Sequence, residues 1–120
     1  MCQAIVLFAH GSRDPLWHKP MQAVRQRMTS AHPELMVVCA YLELSQPDLP
    51  QAIAECVAQG MEKIKVVPLF LGVGKHVRQD LPQMMLELRQ HYPLVQFECT
   101  AAVGENEALL DLIANIAAGD

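Results

Sequence analysis

Four short apolar runs divide the chain into regular units. They occupy residues 4–9, 35–42, 64–71 and 95–100, and each is almost continuously apolar. Short continuous runs of this kind are typical of strands that are buried on both faces, as in parallel sheets. We therefore predict four β-strands over these ranges.

Each run is followed by a stretch whose apolar residues recur at helical spacing. These stretches are residues 20–31, 48–59, 80–91 and 105–118. Asp48 and Asp80 are suited to cap the second and third helices, and Pro82 would then fall in the first turn of the third. Gly60 and Gly119 are suited to end the second and fourth helices. The pattern predicts four amphipathic helices.

Pro20 affects where the first helix begins. A helix that started at Asp14 would contain Pro20 in its interior, where proline removes a hydrogen bond and clashes with the preceding turn. We expect the helix to begin near Pro20 or to kink there. The preceding residues "DPLWH" (14–18) are predicted to form a loose first turn.

The alternation of strand and helix predicts an α/β fold in a three-layer sandwich. A β-α-β-α-β-α-β-α order favours a parallel sheet with helices on both faces. For four strands we predict the flavodoxin-like order 2-1-3-4. The length of 120 residues favours one domain over residues 1–120.

Composition excludes some classes of function. The net charge is −4 and aromatic residues make up 5%, which argues against a nucleic-acid binder. The N-terminus lacks the features of a signal peptide, and no segment is apolar for the ~20 residues of a membrane span. The four cysteines are widely spaced, as expected of free thiols in a reducing compartment. We expect a soluble cytoplasmic protein.

Three metal-capable side chains follow the predicted strands. His10 comes directly after the first strand, Glu43 after the second, and His76 lies in the predicted loop beyond the third. Ligands of open parallel sheets bind beyond the carboxyl ends of the strands, where the strand order reverses. Strands 1 and 3 flank that position here. We therefore expect all three side chains at one edge of the sheet.

Two imidazoles and a carboxylate suit a divalent first-row metal such as Fe, Co, Ni or Zn. Imidazole can also accept a proton near neutral pH. Taken singly, each of the three residues is more simply a solvated loop residue, and only their shared edge favours a metal site. Further residues near this edge suit an anionic or close-packed ligand: Ser12, Arg13, Lys75, Arg78 and the glycines Gly11, Gly72 and Gly74.

Three segments together resemble the class II tetrapyrrole chelatases, in particular the small single-lobe sirohydrochlorin cobaltochelatases and ferrochelatases of the short CbiX and SirB type. The segments are "LFAHGSRDP" (7–15), "YLELSQPDLPQAI" (41–53) and "PLFLGVGKHVRQDLP" (68–82). The resemblance covers the chain in element order. It implies the chelatase-like fold and a lyase that inserts Co²⁺, or Fe²⁺ or Ni²⁺, into sirohydrochlorin as two pyrrole protons leave.

The resemblance also implies roles for individual residues. His10 and His76 fall on the family's metal ligands and proton acceptors, and Glu43 falls on the acid after strand 2. We expect the carboxylates of sirohydrochlorin to meet Ser12 and the cations Arg13, Lys75 and Arg78. Apolar and glycine positions are expected to contact the ring: Leu44, Gly72, Val73 and Gly74. Because larger members of the family have two such lobes in one chain, the resemblance also implies a homodimer, and no organic cofactor or iron–sulfur cluster is expected.

Two other functions remain open at this point. A metal or tetrapyrrole carrier would use the same ligands without accelerating insertion. A histidine-dependent phosphatase would resemble R-H-G after strand 1, whereas this chain has Ala9 before His10. Ligand chemistry does not select cobalt over iron or nickel, so the residues leave open cobalamin or sirohaem biosynthesis.

Overall fold

A computed structural model describes residues 2–119 of the chain, in which strands and helices alternate. The strands are β1 (Gln3–Ala9), β2 (Met36–Tyr41), β3 (Lys63–Pro68) and β4 (Gln96–Cys99). The helices are α1 (Lys19–Ala31), α2 (Leu49–Ala58), α3 (Lys75–His91) and α4 (Glu107–Ala118). Two short 3₁₀ helices, η1 (Pro15–His18) and η2 (Val103–Glu105), precede α1 and α4.

The four strands form one parallel sheet in the order β2-β1-β3-β4, which confirms the predicted order. β1 is central, and its Phe8 pairs with Ala40 of β2 on one side and with Pro68 of β3 on the other. The crossover from β2 to β3 passes β1. The strand order therefore reverses between β1 and β3, at the edge where His10 follows β1.

The side chains of β1 alternate between two hydrophobic cores. Ala4, Val6 and Phe8 belong to the main core, which α2 and α3 cover. Ile5 and Leu7 belong to a smaller core on the opposite face, against which α1 packs. Burial on both faces explains the continuous apolar run, because neither face of β1 meets water. The helices thus cover both faces, as the three-layer prediction requires.

The starts of α1 and α2 confirm two local predictions. The carboxylate of Asp14 accepts a hydrogen bond of 2.9 Å from the Leu16 N–H and caps η1, so "DPLWH" is a separate turn and Pro20 lies in the first turn of α1. Asp48 and Gln51 form a capping box at the start of α2, with both hydrogen bonds at 2.9 Å. Caps of this kind contribute roughly 1 kcal/mol each.

Two predicted boundaries were wrong. β3 ends at Pro68, three residues before the predicted Leu71. α3 begins at Lys75 and not at Asp80, so Pro82 lies inside the helix. The helix extends backwards because Val77 and Leu81, four residues apart, both pack against the main core.

None of the helices described between residues 2 and 119 is long and apolar enough to cross a membrane.

Candidate functional site

Backbone hydrogen bonds carry the pairing of β1 and β2 beyond the strand ends. The Leu42 N–H donates to the Ala9 carbonyl at 2.9 Å, and the Glu43 N–H donates to the His10 carbonyl at 3.0 Å. The backbones are so close here that a Cβ on Gly11 would overlap the Glu43 carbonyl oxygen. Gly11 also has a φ of 102°, which a residue with a side chain rarely adopts. His10 and Glu43 are therefore held in register by their main chains.

The imidazole of His10 packs on an aromatic floor. Its ring lies edge-to-face with Phe70, with 4.7 Å between centroids, and Phe70 is in turn edge-to-face with Phe8. Phe70 is only 3% exposed, whereas His10 is exposed to solvent. Within the described residues no hydrogen bond engages the ring nitrogens of His10. The geometry thus orients the ring from below and leaves its nitrogens accessible to a ligand.

The loop after β2 presents exposed side chains beside His10. Glu43 is exposed, and Leu44 is 53% exposed with a φ of 63°. A left-handed conformation costs a residue with a side chain roughly 1 kcal/mol or more. A strained apolar residue on the surface is consistent with the predicted contact between Leu44 and a ligand.

His76 lies in the first turn of α3 and not in a loop, which corrects its predicted setting and that of Lys75 and Arg78. Gly74 is the N-cap of the helix and Lys75 its first residue. The Arg78 guanidinium donates a hydrogen bond of 3.0 Å to the Val73 carbonyl and so ties the first turn of α3 to the preceding loop. His76 and Lys75 are both exposed. The rigid helix, and not loop geometry, therefore sets the direction of His76.

The structure joins part of the predicted ligand set. His10 and Glu43 are linked by their backbones, but in residues 2–119 no three side chains of His, Cys, Asp or Glu are placed to hold one metal ion. The three-residue ligand set His10, Glu43 and His76 stays a prediction.

Other predicted residues have defined positions. The Ser12 hydroxyl accepts a hydrogen bond of 3.0 Å from the Asp14 N–H, so it caps the turn that follows. Arg13 is exposed and takes part in no ion pair within the described residues. Gly72 and Gly74 have open space where a side chain would be, and Val73 is half-buried.

A hydrogen-bond network centred on His18 supports the loop of His10, and the sequence pattern did not predict it. His18 Nε2 lies 2.8 Å from the Ser12 carbonyl oxygen, and Nδ1 lies 3.2 Å from the Tyr41 hydroxyl. Ser45 Oγ donates to the same carbonyl at 2.7 Å and accepts from the Ser12 N–H at 3.0 Å. The network fastens the loop after β1 to the loop after β2. No regular spacing in the sequence indicates it, because its members come together only through the β1–β2 pairing.

The pKa of Tyr41 indicates which atoms carry the protons in this network. Burial of the phenol, followed by the adjacent Cys39 thiol, raises the pKa of Tyr41 to about 12. The hydroxyl is therefore neutral and can donate to His18 Nδ1. A carbonyl oxygen can only accept, so the proton between His18 and Ser12 is on Nε2. With Nε2 as the donor to Ser12, Nδ1 can accept from the Tyr41 hydroxyl, so both contacts can be hydrogen bonds.

A groove of about 600 Å³ lies beside the candidate site, between α3 and the strand β4. We call it the α3–β4 groove. Its lining is mainly apolar and includes Phe70, Leu71, Val73, Val77, Leu81, Met85 and Ala102, together with Arg78, Arg89 and Glu105. Thr100 also lines it, and the Thr100 hydroxyl is buried without a hydrogen-bond partner in the described residues. Phe70 is shared between this groove and the floor under His10.

The model of one protein family matches almost the whole chain. It is the CbiX model, and it matches residues 4–118. The chain belongs to the CbiX family. The family resemblance carried by the three sequence motifs is thereby confirmed.

Two curated relatives show how the chain compares in length. The sirohydrochlorin cobaltochelatase of Methanococcus aeolicus is 33% identical over 91 residues, which are 74% of this chain and 64% of the relative. The chloroplastic sirohydrochlorin ferrochelatase of Arabidopsis thaliana is 27% identical over 109 residues, 91% of this chain and 48% of the relative. The chain spans less than two thirds of the length of these relatives.

Two solved CbiX-type structures share the fold. A putative cobalamin biosynthesis CbiX protein from Marinobacter aquaeolei has a TM-score of 0.81 at 30% identity, and the match covers 98% of this chain and 95% of that one. The sirohydrochlorin chelatase SirB from Bacillus subtilis, solved in complex with cobalt, has a TM-score of 0.81 at 25% identity. That match covers 99% of this chain and 51% of SirB, so this chain corresponds to about half of the two-fold longer protein.

Proposed function

We propose that this chain is a sirohydrochlorin chelatase that inserts a divalent metal ion, Co²⁺ first and also Fe²⁺ or Ni²⁺, into the tetrapyrrole. The metal is a substrate and not a resident cofactor. The observation that carries the proposal is the exposed imidazole of His10, set on Phe70 at the edge where the strand order reverses. The names of the relatives, a cobaltochelatase and a ferrochelatase, support the substrate and the two metals.

Insertion requires three events that these residues can supply. The ion must lose water, it must be held beside the ring, and two pyrrole N–H groups must lose their protons. An exposed imidazole binds a divalent ion weakly enough to release it, and a neutral imidazole can also accept a proton. We propose His10 and His76 as ligands and bases, with Glu43 as an additional ligand. An open site of this kind favours transfer of the ion over its retention.

The cations around the site suit the carboxylates of the substrate. Arg13 and Lys75 are exposed, and the Arg78 guanidinium still has free N–H groups besides the one that it donates to Val73. Leu44 and Val73 offer apolar contact to the flat ring. We propose that these residues, with Ser12, Gly72 and Gly74, bind sirohydrochlorin.

We further propose that the chain acts as a single lobe over residues 1–120, paired with a second copy in the cytoplasm. The match to about half of SirB supports the pairing, because a second copy would supply the other half. The four free thiols support a reducing compartment.

An anaerobic absorption assay tests the activity. The protein is mixed with sirohydrochlorin and Co²⁺, Fe²⁺ or Ni²⁺, and the spectral change of metallation is followed. We expect acceleration over the uncatalysed reaction. A protein that binds tetrapyrrole or metal without acceleration with any of the three ions would be a carrier, and the proposal would be wrong.

Histidine variants test the site. His10→Ala and His76→Ala are each expected to lower the rate at least roughly 100-fold, the usual scale for loss of a general base. His32→Ala and His91→Ala are the matched controls. Both histidines are exposed at the ends of helices that lead into strands, so they lie toward the amino ends of the strands and not at the carboxyl edge. Full activity of both site variants would contradict the assignment, and far-UV circular dichroism checks that each variant is folded.

A further inference from the structure

The last helix leaves its apolar side chains in solvent. In α4 no residue is buried, and none belongs to either core of the part of the chain that the structure describes. Leu109 at its start is half-buried, whereas Leu110 is 40%, Leu112 55% and Ile116 68% exposed. Ile113 is 38% exposed, and the main contact of α4 with another element is with η2, which directly precedes it. Leu109, Leu112, Ile113 and Ile116 share one face of α4, which we call the apolar stripe, and an exposed apolar surface of this kind on a small protein indicates a contact surface.

The α3–β4 groove is an apolar surface without a cover. Leu71 on its wall is 64% exposed, although Phe70 and Met85 beneath it are buried. No residue of α4 lines the groove, but Glu105, two residues before α4 begins, does. The stripe and the groove therefore lie next to each other in the chain and do not meet within one copy.

We propose that two copies of this chain exchange α4, so that the apolar stripe of each helix lies in the α3–β4 groove of the other copy. This deepens the pairing of two copies put forward under the proposed function, on which it rests. A two-fold arrangement makes the contact reciprocal, because the same stripe and the same groove are present on both copies. Each helix begins beside its own groove, so a two-fold axis near η2 places both grooves within reach.

The size of such a contact is that of a stable dimer. The stripe presents roughly 300 Å² per copy, so covering two stripes and two grooves buries on the order of 1,200 Å², at the lower end of the range of specific interfaces. The acidic residues Glu107 and Asp111 lie on the opposite side of α4 from the stripe at 100° per residue and stay in water. The contact thus buries apolar side chains without burying these carboxylates.

The exchange would give the partner a direct part in the candidate site. Phe70 supports the ring of His10 and also lines the groove, as do Val73 and Arg78. A helix seated in the groove would form one wall of the space above Phe70. The site of each copy is therefore complete only when α4 of the partner is in place.

Variants that place a charge on the stripe or in the groove test the contact, with the oligomeric state in solution as the measured property. We expect the wild type to be a dimer by sedimentation or light scattering. The double variant Leu112→Glu/Ile116→Glu and the groove variant Leu71→Glu are each expected to raise the dimer dissociation constant at least 100-fold. Ala114→Glu is the matched control, because it adds the same charge on the opposite side of α4 and should stay dimeric. A monomeric wild type, or a dimer that survives both variants, would overturn the proposal.

A disulfide test identifies what α4 touches. Cys99 lines the groove, so a cysteine in the stripe should lie near Cys99 of the other copy. Leu112→Cys, Ile113→Cys and Ile116→Cys are each made with Cys2→Ser, which removes the exposed native thiol. Oxidation should give a covalent dimer with at least one of them, and adding Cys99→Ser should abolish it. A covalent dimer that persists without Cys99, or a disulfide within one chain, would show another position for α4 and overturn the proposal.

Neither experiment needs metal or tetrapyrrole, so the result is independent of the chelatase activity. His10→Ala should remain a dimer of unchanged dissociation constant while losing insertion. A dimer that exchanges α4 but does not accelerate insertion would leave this inference in place and refute the proposed function. A monomeric protein that accelerates insertion would refute the exchange of α4 and leave the chelatase activity in place.

Discussion

At the scale of single residues, the sequence predicts side chains for the candidate site but not how they are supported. His10 was predictable because it directly follows a run that must be a buried strand. Its support was not, because Phe70 follows β3 and the two rings meet only through the β1–β3 register. The same holds for His18, whose partners Tyr41 and Ser45 are more than 20 residues away in the chain. Contacts between distant segments carry no local pattern.

Gly11 offers a residue-scale prediction. In Gly11→Ala the new Cβ would overlap the Glu43 carbonyl oxygen, and alanine would have to adopt a φ of 102°. Backbone strain and overlap together should lower the free energy of unfolding by roughly 2–5 kcal/mol. Gly72→Ala, with open space at its Cβ position and no positive φ, should change it by less than about 1 kcal/mol. Urea denaturation of both variants measures the difference, and equal stability of the two would contradict the close approach of these loops.

At the scale of elements, the pattern predicts which segments are helices better than where they begin. The third helix was expected to begin at Asp80 because proline is common in the first turn. The apolar side of α3 in fact runs from Val77 through Leu81 to Met85, which is buried. Its packing on the core stabilises the helix across Pro82. Periodicity was the better guide, since burial outweighed the local preference of proline.

Replacing Pro82 should therefore stabilise the fold. Proline has no N–H, so the Arg78 carbonyl lacks its partner four residues on, and Pro82→Ala restores that hydrogen bond. We expect the free energy of unfolding to rise by about 1–3 kcal/mol in urea denaturation at a fixed protein concentration. Gln79→Ala, in the same helix, is the control and should have an effect near zero, because Gln79 is exposed and its side chain makes no hydrogen bond in the described residues. Loss of stability in Pro82→Ala would mean that the helix depends on a bend at this position.

At the scale of the whole molecule, the topology followed from the alternation of strands and helices, because parallel connections allow few arrangements. The position of α4 did not follow from this alternation. No later strand follows α4 in the described residues to hold it against the sheet, and its apolar spacing is the same whether the stripe meets its own core or a second molecule. Assembly therefore has to be deduced from surfaces that only the folded chain displays.

Alkaline pH should weaken the whole fold through its buried thiol, Cys56. Burial, followed by the neighbouring Glu55 carboxylate, raises the pKa of Cys56 from 9.0 to about 11. Below pH 9 the thiol is neutral in both states, so its full contribution to stability is present. As pH rises from 9 to 11 the thiol ionises in the unfolded chain first, and the free energy of unfolding falls by up to about 1.4 kcal/mol per pH unit. Urea denaturation at pH 8 to 10.5 should show this slope reduced in Cys56→Ala, and an unchanged slope would contradict it.

The main-chain bonds beyond β1 and β2 have a consequence for how the loops move. The amide protons of Leu42 and Glu43 are bonded to Ala9 and His10 although both residues follow the end of β2. In deuterium exchange these two amides should behave like those of the central strand, which open only when larger parts of the fold open. A loop that exchanges as slowly as a strand would hold the backbones of the proposed ligands His10 and Glu43 in place before a metal ion arrives at this edge.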